Sequence, residues 1–255
     1  MVFLVTVNVS SQKTEEKDFG KYFSAHNING CFLLFDPESN LYIEYNHDRC
    51  DSGYIPASTF KILNSLIALE EGVIKDTAQV IPWDGYVWPN AEWNRDQTLV
   101  SAVRYSCIWV FFEIARKVGT VKYQEYLDTA DYGNRDLSGP PDRFWLSGEL
   151  RISAREQITF LRKFCDYDLP VSRENVDIVK RLITLEETPH YRLYGKTGAG
   201  RLGEDKLIMW FIGWVETEGR PCYFAMNYTT DDFKSTRKAR LDITKNILTE
   251  MKLIR

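Results

Sequence analysis

Apolar residues fall into two patterns along this chain. Toward both ends they form short runs between turn formers: residues 31–35 and 41–45 flank Asp36-Pro37-Glu38-Ser39-Asn40, and 191–197, 207–216 and 222–228 follow much later. Such runs predict strands, the first two joined as a hairpin. Between them the spacing is helical. Ile62, Leu63, Leu66, Ile67 and Leu69 predict a helix over 62–73. Further helices are expected over 98–105, 107–118, 120–130, 153–165 and 172–184, the fourth with a capping-box pattern from Ser153 to Glu156, and an amphipathic helix over 235–254 closes the chain. A turn-rich stretch with Pro82, Gly85, Pro89 and several tryptophans interrupts them, as does a Gly-, Pro- and Asp-rich loop over 131–143. Strands at both ends with helices between imply an α+β fold. One antiparallel sheet is flanked by helices, a mostly helical second lobe packs on it, and a cleft between the two is the natural place for a site.

At 255 residues the chain has the length of one domain. It divides into a single domain over 20–255, with a sheet lobe from about 20–57 and 190–255 and a helical lobe over about 58–189. Residues 1–19 read as a leader or truncated signal remnant. Their apolar part, 1–9, is short, lacks a positive n-region and runs into polar 10–17. No later stretch is long enough for a transmembrane helix, so a soluble chain without stable membrane association is expected. The net charge of −4 offers no basic field for nucleic acid. Cys31, Cys50, Cys107, Cys165 and Cys222 are odd in number and lack CxxC spacing, which specifies neither a zinc site nor a disulfide framework. With histidines only at positions 26, 47 and 190, no metal is expected. Oligomeric state is not readable.

Candidate chemistry begins at Pro56-Ala57-Ser58-Thr59-Phe60-Lys61. Ser58 and Lys61 are three positions apart at the start of a predicted helix, so the amine can reach the hydroxyl. A serine needs a base to act as a nucleophile near neutral pH, and an amine kept neutral, or otherwise modified, can supply it. Lys196-Thr197-Gly198 adds a second lysine, a hydroxyl and a glycine on a predicted edge strand, where substrate could pair with backbone. Ser106 precedes the apolar helix over 107–118 and, taken alone, reads as an N-cap. Gly198-Ala199-Gly200-Arg201-Leu202-Gly203 matches a dinucleotide fingerprint, but a strand follows it, so the required context fails.

Ser58-x-x-Lys61, Ser106-x-Ile108, Tyr132-Gly133-Asn134 and Lys196-Thr197-Gly198, in this order and spacing, resemble the class D (oxacillinase-type) serine β-lactamases. The flanking text at 56–69, 106–119, 144–153 and 210–216 is similar too, and the resemblance covers about residues 20–250. The S-D-N triplet of class A enzymes and penicillin-binding proteins is absent. The resemblance implies a serine β-lactamase/penicillin-binding transpeptidase-like fold. It also implies hydrolysis of the β-lactam amide of penicillin-type antibiotics through a serine acyl-enzyme, in the periplasm or outside the cell.

By the same resemblance, Lys61 carries a carbon dioxide-derived carbamate, the only prosthetic group implied, and that group is the general base. Trp145 donates its indole N–H to it, and Phe60, Ile108, Trp145 and Leu146 wall the amine. Ser58 is the nucleophile, and the backbone N–H groups of Ser58 and Ala199 form the oxyanion hole. Ser106 relays a proton with Lys196 as a positive neighbour. Thr197, Gly198 and Arg240 hold substrate, Arg240 by its fork on the carboxylate, although Arg237 and Lys238 stand close by in sequence. The family usually has valine where Ile108 stands. Two alternatives remain: a penicillin-sensing receptor domain that is acylated but not turned over, and a D,D-peptidase, whose second triplet normally ends in Asn.

Overall fold

The computed structural model describes residues 12–255, so the apolar stretch over 1–9 lies outside the described residues. Its strands are β1 (Lys13–Glu16), β2 (Asn29–Asp36), β3 (Leu41–Tyr45), β4 (Thr184–Glu187), β5 (Arg192–Leu202), β6 (Lys206–Thr217) and β7 (Arg220–Thr230). Its helices are α1 (Gly20–Ser24), α2 (His47–Cys50), α3 (Lys61–Glu70), α4 (Leu99–Arg104), α5 (Ile108–Val118), α6 (Thr120–Ala130), α7 (Phe144–Ser147), α8 (Ala154–Cys165), α9 (Arg173–Leu182), α10 (Phe233–Thr236) and α11 (Ala239–Glu250). The strands form one sheet in the order β1-β3-β2-β7-β6-β5-β4, which joins the two ends of the chain.

Both faces of the sheet are covered. On β6, Trp210 and Ile212 face the helical lobe, while Met209 and Phe211 pack with α1 and α11. A strand buried on both faces has no polar alternate positions, which is why 207–216 reads as a continuous apolar run. The same reasoning applies to α3, buried from Lys61 to Leu69 at the centre of the helical lobe. It stops where Gly72 takes a positive φ of 65°.

Three details differ from expectation. The sheet is mixed rather than antiparallel, because β1 runs parallel to β3, Lys13 opposite Leu41. β1 comes from the stretch expected as a leader; its four side chains are exposed, so no apolar signal marks it. β4 replaces the expected end of the helix over 172–184, and α9 stops at Leu182. The closing helix is broken into α10 and α11 at Arg237-Lys238, and that break places Arg240 in the first turn of α11.

Candidate active site

The backbone ahead of Ser58 is pinned from two sides. Trp210 Nε1 donates to the Ile55 carbonyl at 3.0 Å, and the N–H and hydroxyl of Thr59 both donate to the Pro56 carbonyl, at 3.2 and 2.7 Å. Gln157 Nε2 donates to Thr59 Oγ1 at 2.9 Å, locking this turn to α8. Ala57 sits at φ 51°, a left-handed conformation rare for a residue with a Cβ. The chain then runs through a 3-10 turn, Ala57–Phe60, into α3. Ser58 Oγ and Lys61 Nζ lie 2.8 Å apart. Lys61 is 1% exposed, and burial pulls its pKa down to about 7 against a slight opposing pull from the Cys107 thiol. A neutral amine is therefore accessible near neutral pH, and it can accept the Ser58 hydroxyl proton.

Ser106 is not a helix cap. The N-cap of α5 is Cys107, and Ser106 itself stands at φ 54° in the turn after α4. That conformation carries its hydroxyl away from α5 to within 2.9 Å of Lys196 Nζ. Lys196, almost fully buried on β5, also donates to the Thr197 carbonyl at 3.1 Å. Burial, then the charges of Lys61 and Arg240, press its pKa well below the ordinary lysine range.

β5 extends through Lys196-Thr197-Gly198 to Leu202, well past the expected end. Its pairing with β4 begins at Arg192 and ends at Tyr194, with the Gly195 N–H donating to the Ile183 carbonyl at 2.9 Å. The following residues lie against the Ser58 turn. A Cβ on Gly198 would stand 3.1 Å from the Pro56 carbonyl, and one on Gly200 2.9 Å from Ile55, so both positions need glycine for this approach. Ala199 lies between them. Arg240 Nη1 donates to the Gly198 carbonyl at 2.7 Å, whereas its Nε is buried without a partner. Burial lowers its pKa to about 10. Arg237 and Lys238 are exposed, and it is Arg240 that reaches β5.

Trp145 is fully buried and stacks on Phe60, 5.4 Å between centroids and 25° between planes. Its Nε1 is buried without a hydrogen-bond partner, an unmade bond that proteins rarely tolerate without a reason. Leu146 and Ile108 are half-buried. Phe111, not among the expected wall residues, lies 5.0 Å beneath Lys61 Nζ. The signal for it was present: Phe111 follows Ile108 by three positions and Cys107 by four, on one face of α5. Tyr132-Gly133-Asn134 acts as a brace. The Tyr132 ring packs edge-on against Phe60, and Asn134 holds both the Glu149 carbonyl and the Arg151 N–H at 2.9 Å. Gly133 must lack a side chain, since a Cβ there would stand 2.0 Å from the Arg151 carbonyl. This brace fixes the segment just after Trp145. Among the described residues, no cluster of three His, Cys, Asp or Glu side chains could hold a metal.

The chain matches the penicillin binding protein transpeptidase domain family over residues 5–250. It is 41% identical to β-lactamase OXA-48 of Klebsiella pneumoniae over 248 residues, 96% of this chain and 92% of that protein. The crystal structure of a class D β-lactamase from Sebaldella termitidis superposes with a TM-score of 0.92 at 34% identity, covering 96% of this chain and all of the other. The C-terminal domain of the Bacillus licheniformis BlaR penicillin receptor superposes with a TM-score of 0.91 at 34% identity, covering 97% of this chain and all of that domain. With matches of this extent to the relatives and to the fold, the chain belongs to the class D serine β-lactamases of the penicillin-binding transpeptidase superfamily.

Proposed function

We propose that the protein hydrolyses penicillin-type β-lactams through an acyl-enzyme on Ser58, with a carbamate on Lys61 as general base. One observation carries this reading: Lys61 is sealed in an apolar pocket, 2.8 Å from Ser58, with a pKa near 7, and among the described residues no acidic side chain is paired with it. Such an amine is nucleophilic toward carbon dioxide. The buried, partnerless N–H of Trp145 belongs to the same aromatic wall and fits a group that brings an anionic oxygen. Phe60, Phe111 and Trp145 would hold it among aromatic faces. When present, the carbamate supplies a basic oxygen able to take the Ser58 proton and later to activate water.

The chain's own groups do the rest. Ser58 Oγ attacks the lactam carbonyl, and the backbone N–H groups of Ser58 and Ala199 stabilise the oxyanion. The close packing of Gly198 and Gly200 on the Ser58 turn supports that pairing. Ser106 passes a proton to the departing lactam nitrogen, with Lys196 2.9 Å away as the group that exchanges it. Arg240, held on the Gly198 carbonyl, and Thr197 take the substrate carboxylate. A bound anion would reverse the mutual repulsion that presses on Lys196. Ile108, in place of valine, keeps the pocket apolar. Such a hydrolase would act in the periplasm or outside the cell.

The likeness to the BlaR receptor domain favours a second reading, a sensor that stays acylated. The two separate in one experiment. The protein is acylated with benzylpenicillin and its mass followed with time. Rapid return to the free mass is expected; an adduct that persists for hours removes the hydrolase reading. No adduct together with no loss of benzylpenicillin removes both.

A further inference from the structure

A cavity of about 850 Å³, in the range of small-molecule sites, is lined by none of the side chains given a part in the chemistry above. Leu202 and Lys206 bound it on the two sides of the β5–β6 turn, Asn29 at the start of β2 and Thr229 at the end of β7. Arg49 of α2 and Tyr54 complete its wall.

Arg49 is the unusual group there. It is half-buried, yet every partner it has is neutral. Nε donates to Asn227 Oδ1 at 2.7 Å, Nη2 donates to Thr229 Oγ1 at 2.8 Å, and the guanidinium lies over the Tyr54 ring, 4.9 Å from its centroid. Two of its five N–H donors are thus engaged, and among the described residues Nη1 makes no hydrogen bond and the guanidinium no ion pair. Asn227 behind it is fully buried; with Oδ1 given to Arg49, its Nδ2 has no partner. A half-buried cation without a counter-charge, backed by an orphan amide donor, keeps unused capacity for an oxyanion. The charges facing it from the rim are mixed. Asp232 is turned to Ser235, whose N–H it accepts at 3.1 Å. The side chains of Asp231, Lys206 and His26 make no hydrogen bond or ion pair among the described residues. A plain anion would answer Arg49 and be opposed by Asp231, whereas a molecule bearing both charges answers both.

We infer that this cavity binds a small zwitterion of the amino-acid or short-peptide class, with its carboxylate on the free N–H groups of Arg49 and its ammonium at Asp231. The site is separate from Ser58, so the inference does not depend on the β-lactam reading.

Saturation-transfer NMR titrations of the full chain test it, with glycylglycine and N-acetylglycylglycine as probes. Glycylglycine should bind saturably, with a dissociation constant on the order of 1 mM. Capping its amine should weaken binding about threefold, the scale of an exposed charge pair. Asp231→Asn should erase that difference, and Arg49→Met should weaken both probes by about tenfold or more. Asn29→Trp, at an exposed strand position on the wall, leaves Arg49 in place and should abolish binding by filling the cavity, so the test does not hang on the folding of the Arg49 variant. Arg240→Ala removes the arginine assigned above to the substrate carboxylate and should leave both affinities unchanged. Absence of saturable binding, equal affinity for the two probes, or binding that survives Asn29→Trp overturns the inference. Binding lost in Arg240→Ala overturns it too, because the probe then occupies the Ser58 cleft.

Discussion

Replacing Trp145 by phenylalanine isolates one atom pair in this site. The phenyl ring keeps the stack on Phe60 and the edge contact with Phe144, and only the indole N–H and part of the ring are lost. In the bare protein that N–H is buried and bonds to nothing, so removing it relieves a desolvation penalty of about 1–3 kcal/mol. The missing ring volume costs about the same in the packed core. The two nearly cancel, and the stability of Trp145→Phe should lie within about 1 kcal/mol of the wild type. A carbamylated Lys61 changes the balance. There the N–H makes a bond to a charged group, worth about 1.5–3 kcal/mol, and its loss falls entirely on carbamylation. The bicarbonate concentration giving half-maximal penicillin turnover should therefore rise by about ten- to a hundredfold. Initial rates across a bicarbonate series in degassed buffer, beside urea unfolding curves, measure both quantities. An unchanged bicarbonate dependence in a variant of normal stability would refute the assignment of Trp145 to the carbamate.

Other outcomes follow from the same geometry. Lys61→Ala should acylate poorly with benzylpenicillin and show no turnover; normal turnover would remove the proposed base. Because burial lowers the Lys61 pKa to about 7, the amine is protonated below that value, so activity at limiting carbon dioxide should fall as pH drops through about 7 and recover with added bicarbonate. The same shift means that the unfolded chain binds the extra proton between about 7 and 10.5, so this group makes stability rise with pH across that window, a rise that Lys61→Met should abolish in urea titrations. Arg240→Ala should raise KM for penicillin more than it lowers kcat, since uniform carboxylate binding is lost, and Arg240→Lys should restore only part of it. In the sheet lobe, Arg155 spans Glu44 and Asp51 at 2.7 Å each, and Glu44 is nearly buried. Arg155→Ala should cost about 1–2 kcal/mol in urea unfolding, since Glu44 keeps its contact with His47 at 2.7 Å, with kcat little changed; a loss under 0.5 kcal/mol, roughly the scale of an exposed pair, would show the carboxylate to be better solvated than its burial implies.

Patterns carried by many residues were legible in the sequence. The apolar runs of β2, β3, β6 and β7 and the helical spacing of α3, α5 and α8 each rest on several buried side chains, and the capping box from Ser153 to Glu156 is formed as the pattern implied. Elements that bury little left no such trace. β1 exposes all four of its side chains, and β4 alternates between half-buried and exposed ones, so their pairing is set by neighbours distant in sequence. The site shows the same divide. Ser58 and Lys61 are one helical turn apart, and a local rule suffices to join them. Ser106 and Lys196 are 90 positions apart, and their contact depends on a left-handed backbone angle that residue identity alone does not announce. Phe111, three positions after Ile108 on one face of α5, was legible by the same local rule as the floor beneath Lys61.

The left-handed angles at Ala57 and Ser106 tie the economy of the whole domain to its chemistry. Neither residue is glycine, and each angle aims a hydroxyl, that of Ser58 after Ala57 and that of Ser106 itself, at the cost of about 1 kcal/mol of strain. Glycine at Ala57 would relax that strain, with part of the gain returned as disorder in the unfolded chain. It would also free the turn that aims Ser58. Selection for heat tolerance alone would thus be drawn to the residues that aim the Ser58 and Ser106 hydroxyls, and on the proposed mechanism variants gathered that way would trade turnover for endurance.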